Sequence, residues 1–238
     1  MSVLSETIHY VIGDIHGQYD QLCSLLNAIE SRHRWKHADK KAILVYLGDY
    51  IDRGSQSRLV IDRALKGVEG FESVFLKGNH EDLILRCLES EERSVWNTWM
   101  TAGGEQTLKS LGYDLFYEQY DPARLAEALG ERRLNWLHGL KVFYRNSDFL
   151  CVHAGLLPNT SFEDQKDKDM IWIRKKFLDS DFDFGFGVIH GHTPSDRPVV
   201  KPNRIGIDTG AGHGGELTAL IVDRAWADLV REPSFITI

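Results

Sequence analysis

Four glycine-flanked strings of metal- or phosphate-binding residues each follow a short apolar run, and this arrangement restricts the fold more than any other feature. The strings are Gly13–Gly17 (GDIHG), Gly48–Gly54 (GDYIDRG), Gly78–Glu81 (GNHE) and Gly191–Pro194 (GHTP). The apolar run before each string is typical of a strand buried on both faces. Because neighbouring strands end at a common edge of their sheet, the polar side chains can meet at one point. The sequence therefore predicts an α/β fold with a two-metal site at its strand ends.

Helical and extended patterns alternate through the first part of the chain. Apolar positions recur at helical spacing in residues 19–31 and 57–66. Short apolar runs at 10–12, 42–47 and 74–76 are typical of buried strands. This alternation indicates a layered α/β architecture.

The pattern changes from residue 82 to about residue 140, where only the helical spacing remains. Gly103, Gly104 and Gly112 interrupt this segment. We interpret it as a helical insert within a single domain that spans residues 1–238, because its ends return the chain to strands beside the expected site.

The last third of the chain again has extended patterns. Residues 141–144 and 149–152 predict a β-hairpin, and residues 186–189 predict a further strand. Residues 204–207 and 217–222 predict a second hairpin, joined through a glycine-rich segment.

Composition places limits on location and partners. The 238-residue chain has a formal net charge of −7, whereas non-specific nucleic-acid binding depends on a basic surface. It contains no run of about 18 apolar residues, which a membrane-spanning helix needs. Residues 1–9 lack the apolar core of a signal peptide, and Cys23, Cys87 and Cys151 form no metal-type or disulfide-type pattern. We therefore expect a cytoplasmic protein that binds neither nucleic acid nor membrane.

Asp14, His16 and Asp49 are candidate metal ligands. Asp14 and His16 lie two residues apart after a strand, so both side chains can reach one ion, although a turn without metal is an equal interpretation. The flanking glycines favour ligation because they allow close backbone approach. The two carboxylate oxygens of Asp49 can bridge ions about 3.5–4 Å apart.

The same strings carry residues suited to phosphate binding and proton transfer. Arg53 presents a planar fork that matches phosphate oxygens. Asn79 offers a carbonyl oxygen to a metal, whereas its neighbour His80 should point elsewhere and suits a proton donor. Asp52 can orient His80 and keep it protonated. The competing interpretations are a surface ion pair for Asp52 and Arg53, and a helix N-terminal cap for His80.

Two further histidines, His153 and His192, each end an apolar strand beside glycine. A single histidine on a strand is usually structural. Because the chain also carries Asp14 and His16, we interpret these two histidines as metal ligands instead. His190 precedes Gly191 and fits either interpretation.

The motifs resemble the phosphoprotein phosphatase branch of the calcineurin-like metallophosphoesterases. The resemblance rests on GDIHG, GDYIDRG, GNHE, HAG at His153–Gly155 and GHT, in the order found in compact bacterial and phage members, and covers residue 10 to about residue 222. It implies a β-sandwich flanked by helices in α/β/β/α layers, with a dinuclear metal site at the carboxyl ends of the strands. Diadenosine tetraphosphatases share these motifs.

The resemblance also implies roles for individual residues. The implied ligands are Asp14, His16 and Asp49 for one metal, and Asp49, Asn79, His153 and His192 for the other. His80, paired with Asp52, is similar to the family's general acid, which protonates the leaving oxygen. Arg53 and Arg174 are similar to the arginines that bind phosphate in the family. Lys77 replaces an arginine that the family often has, so that position lacks a bidentate donor. The implied reaction is in-line attack of a metal-bridging water on phosphorus.

The leading hypothesis is a metal-dependent phosphatase that acts on phosphoserine and phosphothreonine in proteins. The alternative is hydrolysis of bis(5'-nucleosyl) tetraphosphates or another small phosphoester, because Trp96 and Trp99 of the insert can stack a base. Core packing is the preferred interpretation of these tryptophans. A non-catalytic binding protein is disfavoured because the ligand set is complete. Oxygen and imidazole ligands favour two divalent ions, with Mn²⁺ preferred over iron or zinc.

Overall fold

The computed structural model of the chain describes residues 6–90, 92–113 and 120–238. Residues 91 and 114–119 of the expected insert lie outside the described part. The strands are β1 Thr7–Ile12, β2 Lys41–Tyr46, β3 Phe71–Phe75, β4 Phe143–Arg145, β5 Phe149–Val152, β6 Gly187–His190, β7 Val199–Lys201, β8 Arg204–Gly206, β9 Thr218–Val222 and β10 Ser234–Thr237.

Helices flank these strands and also form the insert. They are α1 Tyr19–Lys36, α2 Ser57–Lys66, α3 Asn79–Glu89, α4 Arg93–Trp99, α5 Glu105–Leu111, α6 Pro122–Leu129, α7 Glu131–His138, α8 Asp167–Trp172, α9 Lys175–Leu178 and α10 Trp226–Leu229. Short helical turns lie at Met100–Gly104, Phe162–Asp164 and Ala211–His213. Among the helices of the described residues, none has both the length and the apolar content that crossing a membrane requires.

The first sheet has the strand order β10-β9-β1-β2-β3. Strands β1, β2 and β3 run parallel, with α1 and α2 as crossover helices, while β9 pairs antiparallel with β1. Since parallel strands end at the same edge, the loops after β1, β2 and β3 emerge side by side. These loops contain the first three glycine-flanked strings.

The second sheet has the order β4-β5-β6-β8-β7 and brings the remaining motif residues to the same region. Strands β5, β6 and β8 are parallel, so the residues that follow them also share an edge. His153 comes directly after β5, and His192 comes two residues after the end of β6.

Alternation of side chains along each strand fills three apolar layers. Val11 and Val45 of the first sheet pack against Ile189 of the second in the layer between the sheets. Tyr10 points the other way, into a cluster with Leu22 of α1. A third cluster lies between the outer face of the second sheet and α8 and α9. The fold is therefore an α/β/β/α sandwich, as the sequence predicts.

The insert is helical, as predicted, and extends the helix layer over the first sheet. Its buried residues Leu108, Leu125 and Leu137 belong to the same apolar cluster as Tyr10. Trp99 is fully buried, and the half-buried ring of Trp96 stacks on Tyr120 at a centroid distance of 4.6 Å. The interpretation of these tryptophans as core residues is thus confirmed.

The prediction of a hairpin between residues 204–207 and 217–222 is wrong. β8 lies in the second sheet and pairs with β6 and β7, whereas β9 lies in the first sheet between β1 and β10. The glycine-rich segment 210–215 crosses from one sheet to the other rather than making a tight turn. An apolar run indicates a buried strand but not its partner, so sequence adjacency was a poor guide here.

Candidate metal centre and active site

The loops after the strands hold several non-glycine residues in the left-handed backbone region. A positive φ in such residues costs about 1 kcal/mol each and concentrates at functional sites. Those within the glycine-flanked strings are His16 (φ 46°), Asp49 (φ 52°), Asp52 (φ 73°), Arg53 (φ 64°) and His192 (φ 66°). Each is one of the candidate site residues, so the loops adopt strained conformations where they present those side chains.

Close packing of the loops also explains two of the glycines. A Cβ atom on Gly78 would lie 2.1 Å from Oδ1 of Asp49, and one on Gly191 would lie 2.0 Å from Oδ1 of Asp14. Any larger residue would displace these carboxylates. The glycines therefore allow loops from different strands to meet at the candidate site.

One group of ligand atoms gathers around His153. Its Nδ1–H donates to the carbonyl oxygen of Leu47 at 3.0 Å, which leaves Nε2 free to bind. That Nε2 lies 3.1 Å from Oδ1 of Asn79, 3.1 Å from Nδ1 of His192 and 3.5 Å from Oδ1 of Asp49. Adjacent ligands at about 2.1 Å from an ion are about 3 Å apart, so these atoms have the spacing of a coordination shell.

A second group lies on the other side of Asp49. The Nδ1–H of His16 donates to the carbonyl oxygen of Ile51 at 2.9 Å, and its Nε2 lies 3.4 Å from Oδ2 of Asp49. The Nε2 of His80 lies 3.8 Å from the same oxygen. Asp49 thus turns one oxygen to each group, which is the orientation a bridging ligand needs.

Asp14 and His80 are placed differently relative to the two groups of ligand atoms. His80, the expected acid, lies within ligand distance of His16 and Asp49. Asp14, an expected ligand, belongs to neither group; its Oδ2 accepts a hydrogen bond from the backbone N–H of His192 at 2.9 Å. It nevertheless packs against the Gly191–Pro194 string, through Gly191 and His192.

The donor set fits two divalent metal ions. Within the described residues, Oδ1 of Asp14 and Nε2 of His192 are buried without a hydrogen-bond partner, an arrangement that is costly unless another ligand satisfies them. Backbone carbonyls fix the tautomers of His16 and His153, as is usual for metal-binding imidazoles. Carboxylate, amide and imidazole donors together suit first-row transition metals.

Burial favours the neutral form of the candidate ligand histidines, which is the form that binds a metal ion. It lowers the pKa of His16 to about 3 and that of His192 to about 2. Burial also raises the pKa of Asp49, but the surrounding imidazoles, His153 first, outweigh it and the net pKa falls.

His80 has the opposite electrostatic environment. Burial lowers its pKa, but Asp49 and the hydrogen bond to Asp52 raise it more, so the net pKa lies above the usual value. When the surroundings push the pKa values of two like side chains apart, the two side chains commonly have different chemical roles. His80 is therefore the imidazole in this cluster best suited to carry a proton.

Two residues of the insert donate hydrogen bonds to Asp52, whose carboxylate orients His80. Oδ2 of Asp52 accepts from Nδ1–H of His80 at 2.6 Å. Trp99 Nε1–H donates to the same oxygen at 2.9 Å, and the Thr107 hydroxyl donates to Oδ1 at 2.5 Å. Burial raises the pKa of Asp52, and these three donors oppose that effect. The sequence did not identify Thr107, and it indicated Trp99 only as a core or base-stacking residue, not as a partner of Asp52.

Glu81 is a further residue whose position was not predicted. It is fully buried, and its carboxylate accepts from the backbone N–H groups of Asp49 at 2.8 Å, Tyr50 at 2.9 Å and Gly78 at 3.0 Å. It therefore joins the loops after β2 and β3. Its place in the first turn of α3 was the available signal, but that signal indicates only a local cap.

The remaining candidates lie around the two groups. The Arg53 side chain contacts the second group, with one guanidinium nitrogen 2.8 Å from Nε2 of His16. Arg174 is exposed and lies 3.4 Å from the hydroxyl of Thr193, next to His192. His190 lies outside both groups, with its ring edge against Phe177 at a centroid distance of 5.1 Å.

Comparison with known proteins agrees with this geometry. The family model for calcineurin-like phosphoesterases matches residues 10–220. The chain is 27% identical to the asymmetrical bis(5'-nucleosyl)-tetraphosphatase PrpE of Halalkalibacterium halodurans, over 88% of each chain. It is 30% identical to serine/threonine-protein phosphatase 1 of Salmonella typhimurium, over 88% of this chain and 89% of the relative.

A solved structure provisionally described as a diadenosine tetraphosphatase has the same fold. It superimposes with a TM-score of 0.64 at 21% identity, over 97% of this chain and 92% of the other. At that identity the likeness concerns the fold alone. From the family match and the arrangement of its motifs, the chain belongs to the calcineurin-like phosphoesterases.

Proposed function

We propose that this phosphoesterase is a serine/threonine protein phosphatase. The observation that carries the proposal is the pairing of His80 with Asp52 beside the two groups of ligand atoms. Serine and threonine leave as poor alkoxides, so their release depends on a proton donor, whereas the phosphate leaving group of a polyphosphate depends on it much less. A relative at 30% identity that is named a serine/threonine-protein phosphatase supports the same conclusion.

Two divalent ions complete the proposed site, with Mn²⁺ as the preferred metal. The proposed ligands are Asp14, His16, Asp49, Asn79, His153 and His192. When bound, the ions lower the pKa of a water that can attack phosphorus, and they neutralise the phosphate oxygens.

The chain's own cations bind the phosphate group in this proposal. The backbone N–H of Arg53 donates to the carbonyl oxygen of Gly103 at 3.2 Å, so the insert helps to fix the arginine beside the ligand groups. Arg174 approaches from the segment that precedes α9, next to His192. Two planar forks at these positions stabilise the negative charge that grows on the equatorial oxygens.

His80 donates the proton to the leaving oxygen. Because Nδ1–H is held by Asp52 at 2.6 Å, the proton available to the substrate is on Nε2. The Asp52 carboxylate stabilises the imidazolium before transfer and fixes the ring orientation. Trp99 and Thr107 support this arrangement through Asp52.

Tetraphosphate hydrolysis is the second candidate, because the PrpE relatives align over most of the chain. The base-stacking role considered for Trp96 and Trp99 is disfavoured by their packing in the insert core. Parallel assays of the Mn²⁺-loaded protein on phosphoserine, phosphothreonine and phosphotyrosine peptides and on diadenosine tetraphosphate test the choice. We expect the phosphoserine and phosphothreonine peptides to have the highest kcat/KM; a strong preference for the dinucleotide would overturn the proposal.

A cytoplasmic location is part of the same proposal. Cys23, Cys87 and Cys151 are all free thiols, with Cys87 and Cys151 buried in apolar surroundings. Free thiols are typical of reducing compartments.

A further inference from the structure

A cavity of about 550 Å³ opens beside the candidate active site, between α3, α4 and α8. The charged and aromatic side chains in its wall are Lys77, Asp82, Arg86, Asp167, Lys168 and Trp172. The proposed reaction uses none of them. The cavity is large enough for one or two amino-acid side chains of a bound substrate.

Two segments that line the cavity continue along the chain to proposed site residues. On α3, Asp82 and Arg86 lie three and seven residues after the proposed ligand Asn79, so the three share one helix face. On the opposite wall, Trp172 lies two residues before Arg174. The indole N–H of Trp172 donates to Oδ2 of Asp82 at 3.1 Å and joins the two walls. A substrate whose phosphate lies between Asn79 and Arg174 can therefore extend into the cavity.

The charges in the cavity favour an anionic group. In the parts of the chain that the structure describes, neither Lys77 nor Lys168 forms an ion pair with a carboxylate, and Arg86 only reaches Asp82 at 4.0 Å. Asp82 already accepts the Trp172 hydrogen bond. Two ammonium groups thus remain available on a protein whose net charge is −7.

We propose that this cavity is an acidic-residue subsite, which binds a glutamate or aspartate side chain next to the phosphorylated residue of the substrate. The inference rests on the proposed protein phosphatase function and specifies its substrate class. A single carboxylate fits the site better than a second phosphate, because Asp82 and Asp167 also line the cavity and repel a group of higher negative charge. The indole face of Trp172 accommodates the aliphatic part of the side chain.

Steady-state kinetics of the full-length, Mn²⁺-loaded protein test the subsite. Phosphothreonine peptides of one length carry glutamate, glutamine or lysine on either side of the phosphorylated residue. We expect the best glutamate peptide to exceed its glutamine match about two- to fivefold in kcat/KM, mainly through KM, because an exposed ion pair contributes to binding throughout the reaction. The preference should fall at high salt, which screens exposed charges.

Substitutions connect the preference to the cavity. The double variant Lys77→Gln/Lys168→Gln should bring the glutamate-to-glutamine ratio close to one, and Lys168→Glu should favour the lysine peptide. Lys168→Arg should keep the ratio, because it keeps the charge. Lys66→Gln is the matched control, since it removes an exposed lysine at the end of α2, outside the cavity lining.

Four results would overturn the subsite. Equal kcat/KM for glutamate and glutamine peptides, or a preference that the double variant retains, rejects the subsite but leaves the phosphatase function in place. If the cavity substitutions change kcat/KM for diadenosine tetraphosphate but not for the peptides, the cavity binds a polyphosphate instead of an acidic side chain. No turnover of any phosphopeptide rejects the proposed function and the subsite together.

Discussion

Histidines with opposite protonation preferences lie within a few ångströms of one another in this molecule. Burial lowers the pKa of His16, His153 and His192, whereas Asp49 and Asp52 overcome burial and raise the pKa of His80. Metal ligation needs the neutral imidazole and leaving-group protonation needs the charged one. The residue types and their strand-end positions were readable from the motifs. The fixed tautomers were not, because they depend on carbonyl groups of Leu47 and Ile51 that only folding brings near.

The acid role of His80 predicts a dependence on the leaving group. His80→Ala should lower kcat for an alkyl phosphate or phosphoserine peptide by about 10²–10⁴-fold. The loss should be far smaller for p-nitrophenyl phosphate, whose phenolate leaves without a proton. Steady-state assays of both substrates with one enzyme preparation measure the difference. Equal losses on the two substrates would argue against the acid role.

Glu81 predicts a stability effect at a residue without a proposed chemical role. Glu81→Gln replaces an acceptor carboxylate with an amide, which cannot accept from Asp49, Tyr50 and Gly78 at once. The free energy of unfolding should fall by about 1.5–3 kcal/mol, and metal affinity should weaken because the two loops lose their connection. Urea unfolding of the chelator-treated protein measures the first effect. Wild-type stability in this variant would show that the loops do not depend on Glu81.

At the scale of elements, helices α1 and α2, the helical insert and the parallel strands of the first sheet were predictable because their patterns are local, whereas the short helices α8, α9 and α10 were not predicted. Residues 57–66 form α2 with the predicted bounds. The short strands β7 and β10 were not predicted, since three or four partly exposed residues carry little pattern. The pairing of residues 204–207 with 217–222 failed because the partner of a buried strand is set by packing of the two sheets. For the same reason, the contact of the insert with Asp52 could not be read from the sequence.

That contact predicts a catalytic role for the insert. Trp99→Phe keeps the buried ring but removes the indole N–H that donates to Asp52. A hydrogen bond to a charged group contributes about 1.5–3 kcal/mol, so kcat for alkyl phosphates should fall about tenfold or more. Trp96→Phe is the control, because Trp96 packs against Trp99 and has no contact with Asp52 among the described interactions. Similar losses in the two variants would mean that core packing, rather than the hydrogen bond, explains the effect.

At the scale of the whole molecule, the sandwich brings strand ends of two separate sheets to one place. Asp49 and Asn79 come from the first sheet, and His153 and His192 from the second, yet their ligand atoms lie within 2.7–3.5 Å of neighbours in the group. Burial of polar groups at this junction and in the core has a consequence for stability. Several histidines are held neutral in the folded state, including His9 in β1, outside both ligand groups.

His9 predicts acid sensitivity of the fold. Burial lowers its pKa to about 4, whereas in the unfolded chain it binds a proton below about 6.5. Between these values the unfolded state binds more protons, so stability falls as the pH falls through this window. His9→Gln should reduce the loss of unfolding free energy between pH 7 and pH 5 by about 1–2 kcal/mol, measured by urea unfolding. An unchanged pH dependence in the variant would exclude His9 as a cause.

We expect the motifs to build one site that binds two metal ions. Calorimetric titration of chelator-treated protein with Mn²⁺ tests it directly, because the number of bound ions does not depend on the choice of substrate. The wild-type chain should bind two ions, and His153→Ala, which removes a ligand from one group only, should bind one. Binding of a single ion, or of none, by the wild-type chain would contradict a dinuclear metal site.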